Sequence, residues 1–423
     1  MFQSKEEFQI EALKRLEQNN YTGCIVASTG SSKSKVAIDA IKKDQFKNIL
    51  ITSPRTNLKK SWKNELEKWG YNKGVHVETE YYFGRYSKDS VINVTLENIQ
   101  TVYKWSKEQL LQFDLVIIDE IHAIGAEYFA FIYASRGLNI ACIGLTATPD
   151  KTNEFKKEVL YKTLPILIEY HEAENDGLVN KVNYIVYEHE LTNDYKVLTG
   201  TKDKKWWIGE KAQYDYLTEK YNKAKRLMFE QGASNYWEEA LTWMKIGEGD
   251  KKKAGMEFFR AVTNRKNFLW NLTSTSELAM RIKKKILSNS TNKILIFSEL
   301  TTQASKLSVN VIHSNVGDTA KQTQILNEET LRKFNSGEIR DIASVKSLTL
   351  GLNLIGANYA IFESYSGSDV QGTQKRGRLN RLKVDDFATM IVILVKNTQM
   401  ETWYESAFPF IKDAKIIKSI DEL

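Results

Sequence analysis

The sequence predicts an α/β protein with two parallel-sheet domains in tandem and an α-helical insertion. From about residue 23 to residue 145, short β-rich runs alternate with segments of helical periodicity, which is typical of a parallel sheet covered on both faces. A second set of such runs begins near residue 294, and 423 residues exceed what one hydrophobic core usually organises. We expect the first domain at residues 1–163, the second at 164–423, and the insertion at 194–272, within or before the second domain.

Buried strands of the first domain are expected where apolar runs are short and rich in β-branched residues. They lie at residues 24–26, 49–51, 115–118 and 140–143. Between the second and third runs, Leu58, Trp62, Leu66 and Trp69 fall on one helical face. This spacing predicts a crossover helix packed against the sheet.

The second domain shows the same alternation. Its expected strands lie at residues 294–297, 309–312, 359–362 and 390–395. The strand-like run at 184–187 follows the turn signal Asn175-Asp176-Gly177 and is expected to pair with this second sheet. The insertion has Lys, Glu, Tyr and Trp at helical spacing with almost no β-rich runs, which predicts helices.

Composition excludes several classes of protein. Hydrophobic residues are 42% and charged residues 27%, the balance of a globular rather than a disordered chain. The net charge of +7 is compatible with polyanionic partners but also with any soluble protein. The two cysteines, Cys24 and Cys142, lie in apolar runs and are expected to be packing residues in a reducing compartment. No apolar stretch approaches the roughly 20 residues needed to span a bilayer, so we expect a cytoplasmic protein without membrane contact.

A phosphate-binding loop is predicted at residues 27–34, between the first strand and the next helix. Backbone N–H groups would bind the phosphates, the Lys33 ammonium would neutralise the β and γ oxygens, and the Ser34 hydroxyl would bind Mg²⁺. Ser32 stands where such loops usually have glycine, and a side chain at this point can crowd the approach of the phosphates, although serine can adopt right-handed helical dihedrals without strain. The alternative is an ordinary serine-rich turn.

A pair of carboxylates follows the strand at 115–118, where parallel sheets bind ligands. Asp119 is expected to hold Mg²⁺, directly or through water, and Glu120 to polarise the water that attacks the γ-phosphate. His122 completes this segment, and Thr146 and Thr148 follow the next strand as candidates to link nucleotide state to domain motion. The alternative for the acids is a solvated strand end before a helix N-terminus.

Two arginines far downstream, Arg378 and Arg381, are spaced to share one helical face. They suit an arginine-finger role across a cleft, where such residues accelerate phosphoryl transfer by roughly 10³ to 10⁵. The alternative is a solvated basic helix face.

The order of these segments resembles superfamily 2 helicases of the D-E-x-H group. The resemblance covers both α/β units and implies RecA-like domains, ATP and Mg²⁺ as cofactors, and a DNA partner contacted mainly at its phosphates; RNA stays open. Compact length and the irregular phosphate loop are more narrowly similar to tailed-bacteriophage recombination helicases of the UvsW branch-migration type. This implies a monomeric ATP-dependent helicase or translocase that separates strands or migrates branches of forked DNA, in the host cytoplasm if phage-encoded.

Motif residues and resemblance together define three candidate sets. The catalytic set is Lys33, Asp119, Glu120, His122, Gln374, Arg378 and Arg381. The nucleotide-binding set is Gln9, Ser28, Thr29, Gly30, Ser31, Ser32, Lys33, Ser34, Gly351 and Asn353, with Ser34 and Asp119 as the metal ligands. The nucleic-acid set is Pro54, Arg55, Thr95, Ser298, Thr349, Trp206 and Trp207. Besides Ser32, two residues depart from the family pattern: Asn353 replaces the common aspartate, and Lys375 the first arginine of the last motif.

Aromatic residues among the lysines of the insertion allow two interpretations. Trp206 and Trp207 cannot share one helix face, and we expect them to stack on unpaired bases or to form a strand-splitting wedge. The other aromatics are expected to form the core of a small helical bundle. They are Tyr214, Tyr216, Tyr221, Trp237 and Trp243.

Four other functions remain open at this point. An ATPase-impaired nucleic-acid-binding module is suggested by Ser32 and Lys375. An RNA helicase or remodeller would share every motif. A translocating subunit of a restriction system would need a nuclease constellation that the chain does not show, and a small-molecule kinase would need only one α/β domain.

Overall fold

The computed structural model describes the chain at residues 2, 4–27, 31–43, 45–54, 58–70, 75–78, 92–137, 139–147, 156–170, 180–200, 204–345, 354–367, 379 and 386–423. It contains two compact units, formed by most of residues 1–183 and by most of residues 184–423. Each unit is built on its own seven-stranded sheet, so the fold is the predicted one of two α/β domains in tandem.

The first sheet has the strand order β3-β4-β2-β5-β6-β1-β7, and its strands pair in parallel. The strands are β1 (Gly23–Ala27), β2 (Asn48–Ser53), β3 (Val75–Glu78), β4 (Ile92–Asn98), β5 (Leu115–Asp119), β6 (Ala141–Thr146) and β7 (Ile166–Tyr170). Helices are α1 (Lys5–Gln18), α2 (Lys33–Ile41), α3 (Leu58–Lys68), α4 (Ile99–Val102), α5 (Lys107–Leu110), α6 (Ala126–Gly137) and α7 (Tyr161–Thr163), with a 3₁₀ turn at Ile121–Ala123 and a π-helical turn at Lys156–Leu160.

Apolar side chains cover both faces of this sheet. Neighbouring residues of β1 point to opposite faces, so Ile25 packs with α1, α2 and α3, while Cys24 packs in the cluster of α4, α5 and α6. Trp62 and Leu66 are buried on α3, which confirms the predicted crossover helix. Both cysteines are buried free thiols, as expected of packing residues. Among the described helices, none is long and apolar enough to cross a bilayer.

The first sheet extends beyond the boundary expected at residue 163. Strand β7 pairs in parallel with β1, so Ile166–Tyr170 completes the first unit instead of beginning the second. The run at 184–187 lies in β8 of the second sheet, as predicted. Apolar strand runs are easy to recognise in a sequence, but their assignment to one of two sheets depends on pairing between distant residues.

The second sheet has the strand order β12-β13-β11-β14-β15-β8-β16. Its strands are β8 (Lys181–Glu190), β11 (Ile294–Ser298), β12 (Val311–Ile312), β13 (Asp341–Val345), β14 (Tyr359–Phe362), β15 (Phe387–Lys396) and β16 (Lys415–Ile417). Its helices are α11 (Thr273–Leu287), α12 (Thr301–Leu307), α13 (Ala320–Ser336) and α14 (Met400–Ala407), followed by a 3₁₀ turn at Ile420–Glu422. The strand predicted at residues 309–312 comprises only Val311–Ile312 in the structure. Val309 precedes this strand and is 94% exposed.

The insertion is helical only in part. It begins with an antiparallel hairpin of β9 (Lys196–Gly200) and β10 (Lys205–Gly209), and continues with α8 (Glu210–Glu230), α9 (Tyr236–Ile246) and α10 (Gly249–Leu269). The prediction of helices throughout is therefore wrong at residues 196–209, where Trp206 and Trp207 lie on a strand. Tryptophan is enriched in strands whereas lysine is depleted there, so the local preference is mixed, and the pairing with β9 selects the strand.

Three helices of the insertion form the expected small bundle. Its buried centre includes Met228 and Phe258, with Tyr221 and Trp243 packed against it. Tyr214 is also buried. Two other predicted core aromatics, Tyr216 and Trp237, are instead 47% and 42% exposed, so the core prediction is wrong for them.

Candidate nucleotide and nucleic-acid sites

The phosphate-loop segment joins the buried end of β1 to the start of α2. Ser31 is fully buried, and α2 begins at Lys33, so the N–H groups of the first helical turn are oriented as in an anion site. The Lys33 ammonium donates a hydrogen bond to the carbonyl oxygen of Ala27 at the end of β1. The lysine is thus held at the carboxyl edge of the sheet, the position expected for a phosphate-binding cation.

Ser32 adopts a left-handed conformation, with φ of 66° and ψ of 40°. The strain-free right-handed dihedrals that serine can adopt are therefore not the ones found at this residue. An L-residue in this region costs roughly 1–2 kcal/mol, whereas glycine adopts it without that cost. The serine consequently adds backbone strain at the residue that precedes Lys33.

Replacing Ser32 by glycine is expected to relieve this strain. We expect Ser32→Gly to leave the free energy of unfolding unchanged or to raise it by about 1 kcal/mol, since the greater entropy of unfolded glycine offsets part of the gain. ATP affinity should stay equal or increase. Chemical denaturation and titration with a fluorescent ATP analogue measure the two effects.

A matched control is Ser61→Gly, the same chemical change at the fourth residue of the right-handed helix α3. It is expected to lower the free energy of unfolding by roughly 0.5–1 kcal/mol, so the two variants should differ in sign or clearly in size. A Ser32→Gly variant as destabilised as Ser61→Gly, or one with much weaker ATP binding, would show that the Ser32 side chain has an active role.

Asp119 ends strand β5 and is held by two donors. The indole Nε1 of Trp62 donates to Oδ2 at 2.9 Å, and the backbone N–H of Glu120 donates to Oδ1 at 2.9 Å. Burial and the neighbouring Glu120 carboxylate raise the pKa of Asp119, while Trp62 and the positive charge of Lys33 lower it. A further cation would stabilise the charged form of this carboxylate, and a Mg²⁺ ligand must be charged.

Trp62 was predicted only as a core residue of α3. It is 2% exposed and packs in the core, but its Nε1 also orients the Asp119 carboxylate. A tryptophan on an apolar helix face gives no indication in the sequence of where its one donor points.

Glu120 also has a left-handed backbone, with φ of 54° and ψ of 44°. Its Oε2 lies 3.3 Å from Nδ1 of the buried His122, and His122 Nδ1 lies 2.8 Å from the hydroxyl of Thr146 at the end of β6. Strained non-glycine residues cluster at functional sites, where the surrounding structure maintains them. A hydrogen bond thus links the acidic segment to the threonine of the next strand in the sheet.

The nucleic-acid candidates of the first unit differ in exposure. Pro54 follows β2, and its carbonyl accepts a hydrogen bond from Gln100 Nε2 at 2.9 Å. Thr95 lies within β4 and is only 4% exposed. In this conformation it is therefore not accessible to a strand of nucleic acid. Lys59, which lies in none of the predicted motifs, forms a 2.6 Å ion pair with the mostly buried Glu97. Gln9 lies on α1 with 8% exposure.

Ser298 ends β11 and is fully buried, which argues against the predicted contact with nucleic acid. It lies in a buried polar cluster around Glu363, whose carboxylate accepts hydrogen bonds from Ser276 at 3.1 Å and Ser364 at 2.7 Å. Burial raises the pKa of Glu363 to about 7, although the serines, Ser298 included, lower it. The cluster contributes to the core of the second unit.

Several predicted residues lie outside the described part of the chain. They are Ser28, Thr29, Gly30, Arg55, Thr148, Thr349, Gly351, Asn353, Gln374, Arg378 and Arg381. Within the arginine segment, Leu379 is described and fully buried.

The described residues fit a magnesium nucleotide. Mg²⁺ is usually bound by one or two protein oxygens together with waters and substrate phosphates. The Asp119 carboxylate and the Ser34 hydroxyl have this chemistry, and Lys33 adds the cation that a triphosphate requires.

Two domain families match parts of the chain. Residues 4–151 match the domain family described as "Type III restriction enzyme, res subunit", and residues 277–383 match "Helicase conserved C-terminal domain". A curated relative, "DNA 3'-5' translocase XPB2" of Sulfurisphaera tokodaii, is 26% identical over 396 residues, which are 93% of this chain and 82% of that protein.

Two solved structures are similar in fold. The Hef helicase domain of Pyrococcus furiosus gives a TM-score of 0.56 at 17% identity and covers 95% of this chain and 97% of its own. The Mycobacterium smegmatis helicase Lhr bound to ssDNA and AMP-PNP gives a TM-score of 0.53 at 14% identity and covers 97% of this chain and 48% of its own. The two matched domains and the curated relative together support a superfamily 2 helicase.

Proposed function

We propose that the protein is a DNA-dependent ATPase that couples hydrolysis to movement along DNA and to separation or branch migration of forked strands. The observation that carries this proposal is the position of Lys33, Asp119 and Glu120. Strands β1 and β5 flank β6 in one parallel sheet, so their carboxyl ends lie at the same edge, with Thr146 of β6 between them. Ligands bind at such edges in open α/β sheets.

The described side chains divide the reaction between them. Lys33 would bind the β- and γ-phosphates, and Ser34 and Asp119 would hold Mg²⁺, which supplies charge neutralisation when bound. Glu120 would orient the attacking water. Its left-handed backbone gives the side chain a direction that it would not have in a regular strand or a right-handed helix. A movement of Glu120 would be transmitted to β6 through His122, which contacts the hydroxyl of Thr146.

Arg378 and Arg381 are proposed as the arginine fingers, supplied by a segment that lies within the match to the helicase C-terminal domain. We propose that the first domain continues through β7 to Tyr170 instead of ending at residue 163, that the second domain follows it to residue 423, and that the insertion spans residues 194–272. The relative's name describes a 3′-to-5′ DNA translocase, and we propose the same direction of travel here.

The proposal is tested with purified protein, ATP, Mg²⁺ and defined DNA. We expect single-stranded DNA to stimulate phosphate release, and a forked duplex with a 3′ tail to be unwound while one with only a 5′ tail is not. A four-way junction tests branch migration in the same assay. ATP hydrolysis that no DNA stimulates would overturn the proposal, and stimulation by RNA alone would replace DNA with RNA as partner.

The match to a restriction-enzyme subunit favours one second candidate, a translocating motor that serves a nuclease. The matched segment, residues 4–151, includes the phosphate loop and the acidic segment, the parts that such a motor shares with helicases. Linear duplex DNA that carries a bound third strand distinguishes the two, because a restriction motor would displace the third strand with ATP while it leaves a forked duplex unseparated.

A further inference from the structure

A groove of about 630 Å³ lies in the insertion, between the β9–β10 hairpin and helices α8 and α10. Ile208, Leu217 and Phe268 give it an apolar lining. Trp206 and Tyr216 also line it, although 46% and 47% of their surfaces are exposed. Large aromatic side chains usually bury most of their surface, so two open rings in one concave site indicate a surface that can receive a flat ligand.

The hairpin accommodates the Trp206 ring at a glycine. A Cβ atom at Gly200 would lie 2.8 Å from Cζ3 of Trp206, and the φ of 126° at Gly200 also favours glycine. Trp207 occupies the next position on β10, and its side chain projects from the other face of the hairpin. Trp206 and Trp207 are equivalent candidates in the sequence, but in the structure they lie on opposite faces of the hairpin.

Polar groups for an aromatic ligand lie along the same groove. Asn264, Asn267 and Asn271 line it at helical spacing of three and four residues, and all three are exposed. Within the described part of the chain their carboxamides make no hydrogen bond. Each carboxamide has donors and an acceptor, so the row can pair with the edge of any base. Lys220 Nζ lies 4.7 Å from the centre of the Tyr216 ring, beside this row.

Charge favours a polyanion at this part of the molecule. Residues 194–272 contain sixteen lysines and arginines and eleven acids, which gives five of the seven net positive charges of the whole chain. The segment is less than a fifth of the sequence. Such a concentration of positive charge attracts the phosphates of a nucleic acid and fits a groove that binds one of its bases.

We propose that this groove binds a nucleobase of single-stranded DNA, with the base stacked on Trp206, its edge toward the asparagine row and a phosphate near Lys220. The inference rests on the proposed function and adds a base-binding site outside both sheets. Bases in a duplex are stacked and paired, so this site selects a strand that is already separated. Stacking and adaptable carboxamides also make the site tolerant of sequence.

The test compares the affinity of the full chain for a labelled oligothymidylate and for an abasic oligonucleotide of the same length. Trp206→Ala is expected to weaken oligothymidylate binding by about 5- to 150-fold, the loss of one stacked base, and to leave binding of the abasic strand unchanged. Trp206→Phe should restore most of the affinity. Asn267→Ala should lower the preference for the base-containing strand by a smaller factor.

Matched controls lie in the same insertion but outside the groove. Trp237 is 42% exposed and stacks on Phe259, and Asn222 is an exposed asparagine of α8. Trp237→Ala and Asn222→Ala should both bind the two oligonucleotides as the unsubstituted chain does. Thermal unfolding of every variant identifies any that fail to fold, and Trp206→Phe keeps the test valid if Trp206→Ala is one of them.

Binding and ATP hydrolysis by the unsubstituted chain distinguish a failure of the proposed function from a failure of the groove proposal. If the unsubstituted chain neither binds oligothymidylate nor hydrolyses ATP faster with it, the proposed function fails and the groove proposal fails with it. If it does both, and Trp206→Ala binds equally well or loses affinity equally for both oligonucleotides, only the groove proposal is overturned. Tighter binding of oligouridylate than of oligothymidylate would contradict the assignment to DNA.

Discussion

Lys33→Ala is expected to lower the rate of ATP hydrolysis by at least about 10²–10³-fold while the affinity for DNA changes little. The ammonium lies at the end of β1, where it bonds to Ala27 and acts on the Asp119 carboxyl, and its loss leaves the developing charge on the phosphates without this cation. DNA-stimulated phosphate release and fluorescence anisotropy with a labelled strand measure the two quantities.

The control for this prediction is Lys35→Ala on the same helix. Lys35 forms a 2.5 Å ion pair with Asp39 and lies over the Trp69 ring, away from the loop. Its removal should leave hydrolysis within a few-fold of normal, because a partly exposed ion pair contributes about 1 kcal/mol or less. Normal turnover in Lys33→Ala would show that the phosphate loop is misassigned.

Glu120→Gln is expected to reduce hydrolysis by about 10²–10⁴-fold and to retain ATP, because the amide keeps the shape of the side chain but cannot accept a proton from water. Asp119 and Lys33 remain, so Mg²⁺-ATP binding should persist. Single-turnover hydrolysis separates the chemical step from binding, and a nucleotide analogue titration confirms that the site is intact.

Glu108→Gln provides the matching change at an exposed carboxylate of α5 in the same unit. It should hydrolyse ATP normally. Loss of ATP binding in Glu120→Gln would indicate that the glutamate supports the site structurally through its left-handed backbone and His122, and undiminished turnover would exclude it as the group that positions water.

The main elements could be predicted from the sequence because their signals are local. Short apolar runs identified the strands that precede Lys33 and Asp119, and the carboxyl ends of parallel strands share an edge once those strands lie in one sheet. The partner of Asp119 could not be predicted. Trp62 reaches it through an indole donor from a helix 57 residues earlier in the chain, and apolar periodicity gives no direction for that group.

Local preference and tertiary pairing disagree at some of the predicted residues. Ser32 is compatible with right-handed dihedrals by itself, but the junction between β1 and α2 requires a left-handed residue. The nucleic-acid contacts of Thr95 and Ser298 stay predictions, although packing in their sheets buries both residues.

The sequence by itself determined the α/β class, the tandem arrangement and the chemistry available for a magnesium nucleotide, because periodicity and residue type are properties of short segments. Only the tertiary structure decided that β7 belongs to the first sheet, that residues 196–209 form a hairpin and that Trp206, but not Trp207, lines a groove. Strand pairing and side-chain burial depend on residues far apart in the chain, so no local pattern specifies them.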